Sequence, residues 1–331
     1  HHTHRHDDIL TVLRLAKDPA ALAAVLGRVR IVEDTLDRDL LVRARADLEK
    51  YAWLHGKSAA LSLRMIDRHL PPVVGRPLRI LELGAAPYFF TTLVHSAFGA
   101  EIDAVSVEAG SWPGEAPRQP SGRVVLDVPA LGGPPSRLTI DVRIFNIERD
   151  AFPYPDDHFD AVLFMETLEH LGYNPSHTLA ESHRVLAPGG LMFITVPNFI
   201  NIKRLVNLFF NRPTEFPYSG YGIYGRHQRE YAPVEVRRLL EASHYRVAEL
   251  ATANVWPTYR GRNARSLVKG TGNAVLNGIS ALPLPWLAAK REFIACAAHA
   301  YGEAVVAHPQ WLYEHRHMYP APPNGLRVVL D

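Results

Sequence analysis

The chain has 331 residues, 47% of them hydrophobic, enough to bury one large core and still carry appendages. With 36 Lys+Arg against 34 Asp+Glu and a formal net charge of +2, it offers no global field for a polyanion, so no nucleic-acid partner is expected. A single cysteine, Cys296, excludes a disulfide framework and a cysteine-based zinc cluster and suggests a reducing compartment, hence a cytoplasmic location.

The opening "HHTHRHDD" lacks the apolar core of a signal peptide. Residues 8–70 read as helices. Asp18 before Pro19 is an N-cap signal and Gly27 a stop, and the runs "DRDLLVRARADLEKYAWL" and "KSAALSLRMIDRHL" space their apolar residues by three and four until Pro71 and Pro72. Residues 1–75 are therefore expected to form an N-terminal helical cap. From residue 78 the pattern changes to strand-length apolar runs, "LRILELG", "EIDAVSVE", "VRIFNIE", "FDAVLFME" and "GLMFITVPN", most of them separated by helix-length segments. That alternation predicts an α/β fold for residues 76–300, a doubly wound, Rossmann-like sheet with seven strands. Residues 109–137, rich in Gly, Pro and Ser, read as an irregular loop or hairpin insertion. Later come a helix, "APVEVRRLLEASH", and two runs, "YRVAELATA" and "EFIACAA", suited to antiparallel pairing at one sheet edge. Lid insertions are expected at about 199–230 and 254–290, and the tail 301–331 is assigned no structure. The apolar run "ALPLPWLAA" is broken by two prolines and ends at Lys290, so no transmembrane segment is expected.

In a doubly wound sheet, ligands sit beyond the carboxyl ends of the strands, beside the first strand-to-helix turn. Here that turn lies in "LRILELGAAPYFFTTLV" (78–94), which has one glycine, Gly84, of the three a dinucleotide loop uses. A pyrophosphate needs a glycine for close backbone approach and a helix N-terminus for its charge, whereas this loop has Ala86 and Tyr88, so NAD is not expected. In their order, Glu82, Gly84, Ala86 and Tyr88 resemble the acidic-x-Gly-x-Gly-x-Gly loop of class I methyltransferases, which bind S-adenosylmethionine (SAM). "AFPYPDDHFDAVLFMETLEHL" and "ESHRVLAPGGLMFITVPN" resemble the fourth- and fifth-strand signatures of the same family, and together the likeness covers residues 78 to about 250. The resemblance implies a carboxylate at Glu108 for the ribose hydroxyls, Asn146 near the adenine amine, Ile147 flanking the ring, and Met165 at the end of the fourth strand among the cofactor-binding residues. Glu82 suits a cationic sulfonium ligand and would repel a diphosphate.

"METLEHL" supplies Glu166, Glu169 and His170, and "YGRHQREYAP" supplies His227. This Glu-x-x-Glu-His…His set resembles the metal-binding group of two metal-dependent branches, the small-RNA 3′-terminal 2′-O-methyltransferases and the O-methyltransferases of the ubiquinone pathway. The resemblance implies that Glu166, Glu169, His170 and His227 hold a divalent cation, Mg²⁺ or Mn²⁺ first among the candidates, with Glu169, His170 and His227 as catalytic residues. A coordinated cation lowers the pKa of a bound oxygen by several units, which is what an alcohol acceptor needs at neutral pH. The alternative keeps His170 as a metal-free base and His227 as a loop residue; His177 and His183 read as helix-surface residues.

The balanced charge disfavours RNA, so the expected acceptor is a hydroxyl of a sugar, glycan or other oligosaccharide intermediate, with a small aromatic or quinone-precursor diol second. A non-catalytic methyltransferase-fold module is the reading from another class. "YRGRNARSLVK", with Arg260, Arg262, Arg265 and Lys269, reads as a solvated loop first and as a phosphate or peripheral membrane contact second, and a homodimer is left open.

Overall fold

The computed structural model describes residues 9–15, 18–35, 38–106, 121–131, 134–172, 175–212, 214, 226–255, 264–282, 284–307 and 327–329. Helix α1 covers residues 9–15. Helix α2 (Pro19–Leu26) starts where Asp18 Oδ1 accepts the N–H groups of Ala20 and Ala21, each at 3.1 Å, and Pro19 needs no partner at the first turn. Strand β1 (Arg30–Asp34) and the long helix α3 (Arg38–His69) follow. The αβ alternation then runs β2 (Arg79–Leu83), α4 (Phe89–Phe98), β3 (Glu101–Ser106), β4 (Ser121–Val128), β5 (Ser136–Ile144), β6 (Phe159–Met165), α5 (Pro175–Val185), β7 (Leu186–Pro197), α6 (Ile202–Phe209), α7 (Pro233–Ala242) and β8 (Tyr245–Ala253). Helices α8 (Ala264–Ser280) and α9 (Pro285–Ala288) lead to β9 (Phe293–Ala300), while β10 (Val305–Ala307) and β11 (Arg327–Val329) pair in parallel as a small separate sheet.

The main sheet has nine strands, in the order β1-β4-β5-β3-β2-β6-β7-β9-β8, where the sequence suggested seven. Five central strands, β5 to β7, run parallel, and antiparallel strands close both edges. Two strands account for the difference. Within the 109–137 segment, "SGRVVLDV" forms β4, which pairs antiparallel with β5 as a hairpin, and "RIVED" inside the expected all-helical cap forms β1 on the edge of β4. Five residues carry too little periodicity to separate such an edge strand from helix. The antiparallel pairing of β8 with β9 is the edge arrangement their two runs suggested.

Both faces of the sheet are covered, so the central strands are continuously buried. Ile80, Ala104, Leu163 and Phe193 face α1 to α4 through Leu22, Leu63, Ile66, Leu93 and Val94. The alternate residues Leu81, Leu83, Val162, Phe164 and Ile194 face α5 and α7 through Leu179, Val236 and Leu240. His177 and His183, expected on a helix surface, are buried instead, their Nε2 atoms at 3.0 and 3.1 Å from the Asp150 and Tyr301 carbonyls, because α5 is packed on both sides. Among the described residues no helix is long and apolar enough to cross a membrane.

The Tyr245 hydroxyl, fully buried, donates to the Leu179 carbonyl at 2.9 Å and ties β8 to α5. Tyr245→Phe leaves that layer packed but removes the donor, so the urea midpoint should fall by the equivalent of about 1 kcal/mol with an unchanged m-value.

Candidate active site

The order β3-β2-β6 places the first strand of the parallel set at the switch point, where crossovers leave in opposite directions and open a crevice at the strand ends. Two adjoining cavities occupy it, of about 220 and 340 Å³, and Gly84, Ala86, Glu166 and His170 line both. The turn after β2 fits between β3 and β6 only as glycine at position 84. Its φ is +74°, and an added Cβ would overlap the Thr167 side chain, which is fixed by donating to the Met165 carbonyl at 2.8 Å. Tyr88, where the family loop has its last glycine, adopts a left-handed φ of 65° although it is not glycine, and Glu166 at the end of β6 has φ 46°.

The smaller cavity is walled by Val105, Ser106, Asn146, Ile147, Glu148 and Leu171. Asn146 Oδ1 accepts the Glu148 N–H at 2.9 Å, and the Asn146 N–H donates to Asp150 Oδ2 at 2.8 Å, which fixes the turn that carries Ile147 to the wall. Glu108, expected to hold the ribose, lies outside the described residues, as do Arg260 and Arg262, the side chains of Arg265 and Lys269, residues 215–225 of the first lid and most of the tail.

The larger cavity gathers Glu82, Met165, Glu166, Glu169, His170 and His227, with His55 and Ser58 of α3 on the opposite wall. Thr91 of α4 donates to Glu82 Oε2 at 2.5 Å. Glu169 and His170 stand on the short 3₁₀ turn Leu168–His170, and the loop carrying His227 is pinned to that turn because the Gln228 and Arg229 N–H groups donate to the Glu169 carbonyl at 2.7 and 3.2 Å. One donor atom each from Glu169, His170 and His227 lies within 4.8 Å of the others. Glu166 lines the same cavity outside that tight group, its N–H held by Thr195 Oγ1 at 3.1 Å.

Both imidazoles have their tautomer dictated. His170 Nδ1 sits 3.0 Å from the Arg226 carbonyl and His227 Nδ1 sits 2.8 Å from Glu230 Oε1; each partner accepts, so each Nδ1 carries a proton and Nε2 is the ring nitrogen left for a ligand. Arg204 of α6 is ion-paired to the other oxygen of Glu230. Burial pushes Glu230 up, but the hydrogen bonds from His227 and Arg204 outweigh it and hold the carboxyl below its usual range. Burial lowers the pKa of His170. Glu230 and Arg204 were not among the residues singled out from the sequence; the spacing His227-x-x-Glu230 is the one signal that could have found the first. His55 and Ser58 gave none, since only the packing of α3 brings them here.

The electrostatics point one way. Burial raises Glu82 to about 8 and Glu166 to about 7, and burial together with the Glu166 charge raises Glu169 well above its usual value. Glu166 Oε1 and Glu169 Oε2 are buried with no hydrogen-bond partner. Among the described residues no Lys or Arg lines the cavity. Such a donor set of two carboxyls and two imidazole Nε2 atoms fits a divalent cation, and Glu82 fits an organic cation.

Comparison with known proteins agrees on the domain. Residues 128–194, which include Met165, Glu166, Glu169 and His170, match the family described as Methyltransferase domain; the loop at Gly84 and His227 lie outside the match. A Mycolicibacterium smegmatis protein described as "Probable S-adenosylmethionine-dependent methyltransferase" is 28% identical over 110 residues, 33% of this chain and 37% of that protein. The chain thus matches little more than a third of that relative's length. Among solved structures, a SAM-dependent methyltransferase from Archaeoglobus fulgidus is 16% identical with a TM-score of 0.43, covering 80% of this chain and 100% of that one. A methyltransferase candidate in complex with the Trm112 activator of Haloferax volcanii is 13% identical with a TM-score of 0.49, covering 80% and 98%.

The buried Glu82 makes a pH prediction. Its folded-state pKa is raised above the unfolded value, so its contribution to stability is complete below about 4.5 and is lost as pH climbs through about 8. Glu82→Gln keeps an acceptor for Thr91 and abolishes that loss; at about pH 8 the ligand-free variant should exceed the parent by on the order of 3 kcal/mol, and at about pH 4 the two should melt alike. Thermal denaturation across that range checks it.

Proposed function

We propose that the chain is a SAM-dependent O-methyltransferase that uses a divalent cation, Mg²⁺ or Mn²⁺, to activate a hydroxyl of a sugar or glycan intermediate. The observation that carries this reading is the larger cavity, where three buried carboxyls converge with two unpartnered oxygens and no Lys or Arg among the described residues. Such a cavity is stable when positive charge enters it, and a sulfonium beside a metal ion supplies that charge.

The smaller cavity suits adenosine, with Ile147 and Leu171 against the ring and Asn146 and Ser106 as polar edges. Glu82 and Met165 then border the amino-acid tail and sulfur. When bound, SAM supplies an electrophilic methyl group and the cation lowers the pKa of the acceptor oxygen. The chain's own contribution is orientation and proton control. Glu166, Glu169, His170 and His227 would hold the cation, with Glu230 and the Arg226 carbonyl fixing the two rings behind it. His170 Nε2, kept neutral by burial, is placed to take the hydroxyl proton if no cation is used. Phe90, Pro197 and Phe293 wall off water and give the acceptor an apolar face. Those same aromatic walls favour a small aromatic or quinone-precursor diol as the second reading, and Ala86 and Tyr88 in the loop keep a non-catalytic module in view.

Titration calorimetry separates these readings. SAM or its demethylated product should bind to the parent and to Glu169→Gln alike, whereas Mn²⁺ should bind to the parent and lose at least about 10-fold in affinity in Glu169→Gln or His227→Ala. Absence of SAM binding at millimolar concentration would defeat the whole reading. Methyl transfer that persists unchanged in excess chelator would defeat only the metal, and transfer to an aromatic diol but to no sugar would select the second acceptor.

A further inference from the structure

Helix α6 is attached by charge rather than by apolar packing. Arg204 is its one buried residue, while Leu205, Leu208 and Phe209 are 41%, 54% and 84% exposed. A surface helix ordinarily buries an apolar stripe and takes most of its stability from it. In place of that stripe α6 has an N-cap, where Asn201 Oδ1 accepts the Arg204 N–H at 3.0 Å, and two ion pairs on successive residues, Lys203 with Glu292 and Arg204 with Glu230. The side chains of Glu292 and Glu230 are 6% and 8% exposed, so water and salt screen neither pair as they would on a surface.

The two pairs lead to different places. Lys203 ties α6 to the residue before β9. Arg204 ties it to the candidate site, because Glu230 offers Oε2 to Arg204 and Oε1 to His227 Nδ1, the latter at 2.8 Å. One carboxylate is therefore shared between the helix and a ring that lines the cavity. The loop bearing that ring is fastened in turn to the Glu169 carbonyl by the Gln228 and Arg229 N–H groups. A cation on His227 Nε2 draws electron density from the ring and makes Nδ1–H a stronger donor, which holds Glu230 in the orientation that Arg204 meets. Coupling of this kind acts equally in both directions.

On the reading that Glu166, Glu169, His170 and His227 hold a divalent cation, on which this inference rests, we propose that Arg204 and Glu230 are positioning residues through which α6 and the cation order one another. Cation binding fastens α6, and loss of the Arg204–Glu230 pair loosens the cation. A helix without a buried apolar residue is the element that such a coupling can move, since its local opening costs little else.

Hydrogen exchange and Mn²⁺ titration of the full chain test it. Saturating Mn²⁺ should slow amide exchange across residues 202–209 of the parent by at least about 5-fold, and Arg204→Met should abolish that slowing and weaken Mn²⁺ binding by at least about 5-fold. Glu230→Ala should weaken Mn²⁺ binding by at least about 10-fold. Arg204→Lys, which keeps a positive charge beside Glu230, should bind Mn²⁺ within about 3-fold of the parent. Lys203→Met separates the pair from plain loosening of the helix: α6 should exchange faster from the outset, yet Mn²⁺ should still slow it, with an affinity within about 3-fold of the parent's. Equal Mn²⁺ affinity in the parent, Arg204→Met and Glu230→Ala overturns the inference and leaves the cation reading standing, as does a loss in Lys203→Met as large as that in Arg204→Met. Loss of demethylated-cofactor binding together with Mn²⁺ binding in Arg204→Met also overturns it, by assigning the pair to the fold alone. A parent that binds no Mn²⁺ defeats the cation reading itself, and this inference with it.

Discussion

The fold is organised around an electrostatic cost. Placing Glu82, Glu166 and Glu169 together in one water-poor crevice forces each carboxyl away from its ionised form, and no Lys or Arg among the described lining residues offsets them, although His227 pulls Glu166 part of the way back. Apolar packing on both faces of a nine-stranded sheet supplies the surplus that tolerates such a site. The acids come from different elements, Glu82 from the next-to-last position of β2, Glu166 from the residue after β6 and Glu169 from the turn that follows, so the parallel register of β2 and β6 is what brings them to one place. Slipping that pairing by one residue would send Glu82 to the opposite face.

Part of the backbone strain lies at the same crevice. Gly84, Tyr88 and Glu166 all have positive φ, and two of the three are not glycine. A bulky residue in the left-handed region costs on the order of 1 kcal/mol, which the surroundings must hold in place. Tyr88 is held: it is almost fully buried, and its carbonyl accepts from the Thr92 N–H at 3.1 Å and the Thr92 hydroxyl at 2.8 Å. The turn thus keeps the backbone course of a glycine-rich loop at Tyr88 with one glycine in place of three. Only position 84 is without an alternative, because there the obstacle is a neighbouring side chain as well as a dihedral angle.

How much of this was legible in the sequence follows from the range of each signal. Strand β2, its acidic residue and the turn at Gly84 form a local pattern, and so do β6 and β7 with the Pro188-Gly189-Gly190 turn between α5 and the rest of its strand; all were readable. His227 lies 57 residues beyond His170, and its pairing with Glu169 and His170 could be inferred only by likeness to a family, since no spacing rule predicts that Gln228 and Arg229 will cap the Glu169 carbonyl. Strand β1 was missed because five residues in a helix-rich region carry no decisive period, and the burial of His177 and His183 because α5 is mostly polar in sequence and reads as a solvated helix although it is buried almost throughout. His55 enters the crevice through tertiary packing of α3, where burial lowers its pKa to about 4, and nothing local marks it.

The link between Arg204 and His227 shows how the surface and the crevice constrain one another. Arg204 is the one residue that α6 buries, and its partner Glu230 is the carboxylate that fixes the tautomer of His227. A helix that turned its leucines and phenylalanines inward in the ordinary way would carry Arg204 outward and leave Glu230 with one cationic neighbour fewer. The pKa of Glu230 would then rise, because burial alone pushes it up, and a protonated Glu230 would no longer dictate that His227 presents its Nε2 to the cavity. The exposed apolar face of α6 is therefore the counterpart of an ordered imidazole in the site.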